Sequence, residues 1–405
     1  TRYISVTGVQ TCALPISVAF RTFIELTARN WAHGVLEVIT PDGLSIPIRG
    51  DEGPTARLVV KDYRFVGRLM SGGSIGFAEG YIAGEWDTPD LSALLTAMAQ
   101  NLDRLRELVS GNLVIRTVNR LIHQFRPNTR AGAKKNIHAH YDLGNAFYEQ
   151  WLDRTMTYSS ALYEAPGQAL DKAQTAKYRA LAESMGLQRG HKVLEIGCGW
   201  GGFAEFAAKE VGAEVVGITI SEAQYAYARE RLQKQGLAEK SDIRLIDYRD
   251  VEGRFDRVAS IEMFEAVGEE YWPAYFGKIQ SVLQPGGRAG LQIITIRDDL
   301  FEGYRARADF IQRYIFPGGV LPSETRLRQE TDRAGLGWGQ IRRFGQNYAD
   351  TLHEWADRFQ AKWETIAPLG FDERFRRLWH YYLAYCEAGF RTGRTDVIQL
   401  ELTRA

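Results

Sequence analysis

Residues 191–210, "HKVLEIGCGWGGFAEFAAKE", decide the fold. Val193, Leu194 and Ile196 form the apolar run of a short buried strand. Gly197, Gly199 and Gly201 permit a tight turn, and from Phe203 to Lys209 the apolar spacing becomes helical. A strand, a glycine turn and a helix in that order build a pocket for a nucleotide-like ligand. The spacing is GxGxG, whereas dinucleotide folds show GxGxxG. The next run, "AEVVGITIS", ends in Thr219 and Ser221 where such folds carry a ribose-binding acid. NAD is therefore disfavoured. Glu195, just before the turn, suits a ligand with an amino group, because a carboxylate there can pair with an ammonium. The competing reading is a tight strand-helix joint with no ligand.

Strand and helix patterns alternate around this unit. Strands are predicted at Lys192–Ile196, Glu214–Ile218, Ile243–Ile246, Arg257–Ile261 and Arg288–Ile296, with a helix at Tyr271–Leu283 stopped by the glycines of "LQPGGRAG". A helix-rich stretch, Tyr348–Arg391, precedes a last strand at Val397–Leu402. This is the pattern of an α/β, doubly wound, Rossmann-like sheet. Ligands of such sheets bind at the carboxyl ends of the strands. That rule selects Gly197–Gly202, Thr219–Gln224, Asp247–Arg249, Glu262–Glu265 and Gln292–Thr295.

The N-terminal part reads differently. Phe20, Phe23, Ile24 and Leu26 share a helix face, and "GVLEVITPDGLSIPIRG" alternates around Pro41-Asp42-Gly43 as a hairpin does. Short helices are predicted at Tyr63–Met70, Ile75–Ala83 and Leu91–Leu108, giving a small α+β domain over 17–110 with a lipid- or dimer-related role. Residues 1–16 include "VTGVQTCALPIS", which resembles a translated sequencing adapter, and they read as a non-native leader. Residues 111–136 form a basic linker: Arg116, Arg120, Arg126, Arg130, Lys134 and Lys135 occur there with no Asp or Glu. Interleaved with Leu113, Ile115, Val118, Leu121 and Phe125, they suit an anionic lipid surface and equally a solvated linker helix. The remaining domain spans 137–405.

Composition excludes several classes. With 45% hydrophobic and 25% charged residues, 405 residues suit a globular protein of two or three domains. Fifty basic residues balance fifty acidic ones, which argues against a general nucleic-acid coat. No apolar run approaches the roughly 18 residues of a membrane span. Cys12, Cys198 and Cys386 form neither a metal spacing nor a disulfide framework, so no metal is expected and a reducing cytoplasm is the expected home.

Six motifs in order, "HYDLGNAFYEQWLDRTMTYSSALYE", "VLEIGCGWGGFAEFAA", "VVGITISEAQ", "IEMFEAVGEEYW", "FIQRYIFPGGVLPSE" and "YYLAYCEAGFRTG", resemble the cyclopropane fatty acid synthase family. The resemblance covers about residue 136 to the C-terminus and, more loosely, 20–110. It implies a class I methyltransferase fold, S-adenosylmethionine as cofactor, and methylene transfer to the cis double bond of phospholipid acyl chains. A methyl- or methylene-branching enzyme and a catalytically silent lipid-binding protein are the alternatives. It further implies work at a membrane surface on the inner face of the cytoplasmic membrane, and allows a homodimer.

In this family a bicarbonate ion is thought to serve as base, held by a glutamate, a histidine, a tyrosine and backbone amides. Carried over, the glutamate is Glu265 and the tyrosine Tyr348. The expected cysteine of the "TYSCAY" element is Ser160 here and the expected histidine is Gln292, which leaves the bicarbonate site open to question. Cys386 matches a late cysteine near the active site. Cofactor positions fall on Tyr158, Ser159, Glu195, Gly197, Gly199, Gly201, Thr219, Gln224, Asp247 and Tyr248, with His140 and Tyr141 as supports for a lid. Each has an ordinary reading too: Glu265 as a helix-start carboxylate, Tyr348 as a core tyrosine, Gln292 as a strand-end polar residue, Cys386 as a small hydrophobe. Phe310, Tyr314, Phe316, Trp379, Tyr382 and Tyr385 suit an acyl tunnel and also an ordinary core.

Overall fold

Pro41-Asp42-Gly43 turns the chain between two antiparallel strands, β1 (His33–Ile39) and β2 (Ser45–Arg49), as the turn chemistry predicts. The computed structural model describes residues 18–105 and 143–405. The adapter-like leader with Cys12, the basic segment 111–136, His140 and Tyr141 lie outside the described residues. The chain divides into two units, Thr1–Leu113 and Val114–Ala405.

In the first unit, helix α1 (Val18–Asn30) precedes the hairpin, and β3 (Asp51–Val60) pairs parallel to β1. Helix α2 (Arg64–Ile82), the two-residue β4 (Trp86–Asp87) and α3 (Leu91–Asn101) follow. α2 consists of two helical segments, as expected over 63–83, that meet at a kink at Gly73, whose φ of 61° breaks the helical run. Strand β3 escaped the sequence reading because "DEGPT" opens it with charge, glycine and proline, and its outer half is exposed. Phe20, Phe23, Phe65, Leu36, Val38, Leu58 and Trp86 form the buried interior.

The second unit is built on seven strands in the order β10-β11-β9-β8-β5-β6-β7. Helices α4 (Asn145–Trp151) and α5 (Leu170–Ser184) lead into β5 (Lys192–Ile196), α6 (Gly202–Phe206) and β6 (Glu214–Thr219). Then come α7 (Glu222–Lys234), β7 (Ser241–Leu245), β8 (Phe255–Ile261), α8 (Trp272–Val282) and β9 (Leu283–Ile296). β5 to β9 run parallel, while β11 (Thr395–Arg404) is antiparallel to β9 and β10 (Leu336–Arg343) to β11. The α/β doubly wound reading therefore holds. Edge strand β10, "LGWGQIRR", was missed because its glycines, arginines and largely exposed side chains lack the apolar signal of an interior strand.

Alternation along the strands explains the two layers. Leu194, Ile196, Val216, Ile218 and Val258 pack with Tyr275, Phe276 and Ile279 of α8. Val193 and Val215 pack with Leu181 of α5, Phe203 and Ala228 on the other side. From β5 the chain proceeds to β6 and β7 on one flank, and β8 returns to the opposite flank, so a crevice opens at the carboxyl ends of β5 and β8. Helices α9 (Asp298–Arg305), α10 (Phe310–Tyr314), α11 (Glu324–Arg333), α12 (Gly345–Ala361), α13 (Trp363–Ile366) and α14 (Glu373–Arg391) complete the unit.

Candidate active site

The first half of the crevice is backbone. Gly197, Gly199 and Gly201 have φ of 81°, 51° and 82°, a region costly for other residues. A Cβ on Gly197 would stand 2.7 Å from Met263 Cγ, while one on Gly199 would meet nothing within 4 Å. The turn thus needs glycine for its shape and leaves open space over Gly199, as a bound nucleoside requires. The N–H groups of Gly197 and Cys198 both donate to the Ile218 carbonyl at 3.0 and 2.9 Å, tying the turn to β6. Glu195 is buried, accepts the Ala204 N–H, and keeps Oε2 without a partner among the described residues; burial pushes its carboxyl well up. At the end of β6, Thr219 Oγ1 donates to Gln224 Oε1 at 2.9 Å and accepts the Ser221 N–H at 3.1 Å. Asp247 is held by Arg249 at 2.7 Å, and Tyr248 packs edge-on against Tyr275. The ten expected cofactor residues thus fall on strand ends, in the first turn of α7 at Gln224, or on the facing loop 155–160, and the open space over Gly199 with the unbonded Glu195 oxygen fits S-adenosylmethionine.

That loop supplies the second half. Tyr158 shares a hydrogen bond with Tyr382 at 2.7 Å and contacts the rings of Tyr148, Trp151 and Trp355. Ser159 Oγ accepts from Lys177 Nζ at 2.6 Å, and its carbonyl accepts from Gln174 at 2.9 Å. Next, the Ser160 N–H donates to Glu262 Oε1 at 2.8 Å. Gln292 Nε2 donates to the same oxygen at 2.7 Å, and the Tyr348 hydroxyl donates to Glu262 Oε2 at 2.6 Å. Three of the groups expected around a bicarbonate therefore converge on a side-chain carboxylate. While Glu262 holds them, a free anion does not fit among the same donors.

Glu262 falls in the strand-end range 262–265 that the sequence selects, but neither its spacing nor the family resemblance gives it a role. It follows β8 at the switch point with a φ of 49°, one of two non-glycine residues in the left-handed region among those described. Strain of about 1–3 kcal/mol at such a residue persists where the surroundings over-determine it, and three donors and the Gln292 carbonyl, which accepts the Glu262 N–H at 2.8 Å, do so here. An acid directly after an apolar strand, in "SIEMF", was its only signal. Burial raises its carboxyl, and Lys177, Tyr348, Ser160 and Gln292 oppose the rise.

Glu265, the glutamate that the family resemblance implies, sits beside this cluster rather than in it. Its Oε1 accepts the Ile294 N–H at 2.5 Å, and its buried Oε2 has no partner among the described residues. Burial, with the Glu262 charge next, pushes its carboxyl up to about 8, so it is a neutral acid at pH 7. Tyr348 lies on the Phe390 ring at 4.5 Å and belongs to the site and the core together. The Cys386 thiol is raised by burial and stays un-ionised. Two supports were also missed. Gln399 on β11 stands opposite Gln292 and donates to Gln292 Oε1 at 3.1 Å, which turns the Gln292 amide nitrogen toward Glu262. Lys177 is fully buried on α5. The expected tunnel aromatics meet as well: Phe310 contacts Tyr381 and Tyr385, and Phe316 contacts Tyr382.

The family described as mycolic acid cyclopropane synthetase matches residues 128–400. The chain belongs to this family. It is 38% identical over 391 residues to the tuberculostearic acid methyltransferase UfaA1 of Mycobacterium tuberculosis, covering 94% of this chain and 90% of that one. To the cyclopropane-fatty-acyl-phospholipid synthase of Escherichia coli K12 it is 34% identical over 389 residues, covering 93% and 94%. Among solved structures, mycolic acid cyclopropane synthase CmaA1 complexed with SAH and CTAB superposes with a TM-score of 0.64 at 30% identity, over 67% of this chain and 98% of that one. The chain is thus an S-adenosylmethionine-dependent methyltransferase of a family that modifies fatty acyl chains, and the resemblance read from the six motifs is confirmed.

Proposed function

We propose that the chain alkylates the cis double bond of an unsaturated phospholipid acyl chain and closes a cyclopropane ring, with the Glu262 carboxylate as the base. The convergence of the Ser160 N–H, Gln292 and Tyr348 on Glu262 carries this reading. When bound, S-adenosylmethionine supplies an electrophilic methyl group and leaves as a neutral thioether. Gly197, Gly199, Gly201, Thr219, Gln224, Tyr158 and Ser159 are the residues that hold it. The alkene's π pair forms the new C–C bond, leaving a carbocation on the acyl chain. Glu262 stabilises that charge electrostatically and takes a proton from the added methyl, whose C–H pair closes the ring. Hydrogen bonds weaken a carboxylate as a base, yet a proton next to a carbocation is acidic enough that position outweighs basicity. Glu265, neutral, adds no second negative charge. Tyr348, Phe390 and Tyr382 exclude water that would quench the cation.

A second reading rests on the tuberculostearic acid relative: a hydride shift before proton loss gives a methylene branch through the same base. Expression in cells lacking cyclopropane lipids separates the two, since both products gain one CH2 while NMR tells a ring from an exocyclic methylene. No CH2 gain in any acyl chain overturns both. Glu262→Gly removes the base, relaxes the backbone and frees three donors; added bicarbonate is expected to restore part of its turnover. The proposal includes a peripheral position on the inner membrane face and a homodimer. No described helix is long and apolar enough to cross a membrane. Vesicle flotation and analytical sedimentation test these two points.

A further inference from the structure

Lys177 has no part in the chemistry above, yet its placement is hard to explain as packing. Its side chain is fully buried, and an ammonium taken out of water costs several kcal/mol unless paired. Among the described residues its one side-chain hydrogen bond runs to a neutral acceptor, Ser159 Oγ, at 2.6 Å, with the Tyr178 ring 4.5 Å from the nitrogen. Ser159 is followed by Ser160, whose N–H donates to Glu262 Oε1 at 2.8 Å, so consecutive residues of one loop hold the ammonium and the Glu262 carboxylate; the charges acting on the ammonium are those of Glu262 first, then Asp153 and Glu195. The backbone around it belongs to the same network, for the Lys177 carbonyl accepts from Gln399 Nε2 at 3.0 Å, and that nitrogen also donates to Gln292. Thus α5 supplies a cation and a backbone acceptor to the assembly that surrounds Glu262.

We propose that Lys177 is a positioning residue whose ammonium keeps Glu262 ionised in the closed site, while its hydrogen bond to Ser159 fixes the cofactor loop at the matching distance. This rests on the reading of Glu262 as base. Glu262 and Lys177 together carry no net charge, which is the least costly ionised state for a water-excluded site. Without the cation, burial of the carboxylate is opposed only by dipoles. Burial in turn draws the ammonium down to about 7, so the charge that supports Glu262 is most complete on the acid side of neutrality, where the carboxylate most needs it.

The test compares Lys177→Met, Lys177→Arg and Ser159→Ala in the full-length enzyme, by the pH profile of kcat and by infrared titration of the Glu262 carboxyl, identified by its loss in Glu262→Gln. Lys177→Met is expected to move the acid limb and the carboxyl midpoint upward by about one to three pH units, with at least about a tenfold loss of kcat on the acid side that recovers at high pH. Lys177→Arg keeps both near their wild-type positions. Ser159→Ala changes the KM for S-adenosylmethionine and leaves the limb in place. A carboxyl midpoint unmoved in folded Lys177→Met overturns the proposal. If that variant does not fold, Lys177→Met/Glu262→Gln is expected to, because no charge is left unpaired; a double variant no more stable than the single one overturns it too. Should the midpoint shift while Glu262→Gln keeps full turnover, the pairing stands and the reading of Glu262 as base falls.

Discussion

The glycine turn and the Glu262 cluster stand at the ends of neighbouring strands, β5 and β8, yet they are assembled from different material. The turn is backbone from a few consecutive residues, shaped by three left-handed glycines. The cluster is side chains and one amide from four separate segments, at Ser160, Glu262, Gln292 and Tyr348. A consecutive backbone site tolerates change in everything but its own shape. One assembled at a distance depends on each element that brings a group to it, so substitutions in the two regions should fail in different ways.

The largest separation is expected from Glu262→Gln. Turnover should fall about 10²–10³-fold while calorimetric binding of S-adenosylmethionine stays near wild type; equal losses in both quantities contradict the division. Tyr348→Phe removes one hydrogen bond to a charged group, worth about 1.5–3 kcal/mol, and should lower kcat about 10–100-fold with little change in cofactor affinity. The turn should show the converse. Gly197→Ala places a methyl against Met263 and adds about 1–2 kcal/mol of backbone strain, so cofactor Kd should rise at least about tenfold, read by titration calorimetry.

Smaller effects sharpen the contrast. Gln399→Leu leaves the cluster intact but frees the Gln292 amide to turn. A net hydrogen bond of about 0.5–1.5 kcal/mol predicts a loss of kcat of about 2–10-fold, and an unchanged rate would show that Gln292 needs no such support. Glu265 gives a pH signature in stability. Its folded carboxyl titrates near 8 against an ordinary 4.5, so the folded state holds a proton that the unfolded chain releases. Its contribution is greatest below pH 4.5, falls as pH rises to about 8, and levels off above. Glu265→Gln should therefore raise Tm relative to wild type at pH 9 by at least about 2–4 °C, and the advantage should shrink toward pH 5.

Much of the fold and half of the site were legible in the chain. The edge strand β7, "SDIRL", is legible only from Ile243 onward, and apolar runs located the other parallel strands, because interior strands are largely apolar. Strand β3 and edge strand β10 were not, since half-exposed strands carry mixed residues. In the site, Ser160, Gln292 and Tyr348 were named from their motifs, but the carboxylate was placed at Glu265, three residues beyond the one they meet. Motif spacing identifies a strand end without fixing which of its acids turns inward; at Glu262 that is set by a left-handed backbone with no sequence signal of its own.

The sequence by itself determined the strand-turn-helix at residues 192–206, the cofactor class and the family, because those depend on local backbone geometry written in consecutive residues. Tertiary structure alone decided which carboxylate receives the donors of the 160, 292 and 348 segments, that Gln399 orients Gln292, and that Lys177 faces Glu262 from α5. The hydrogen-bonded pairs among them join residues 30 to 107 positions apart. Their energetics come from burial and from charges brought close in a water-poor interior, and neither exists until the chain has folded.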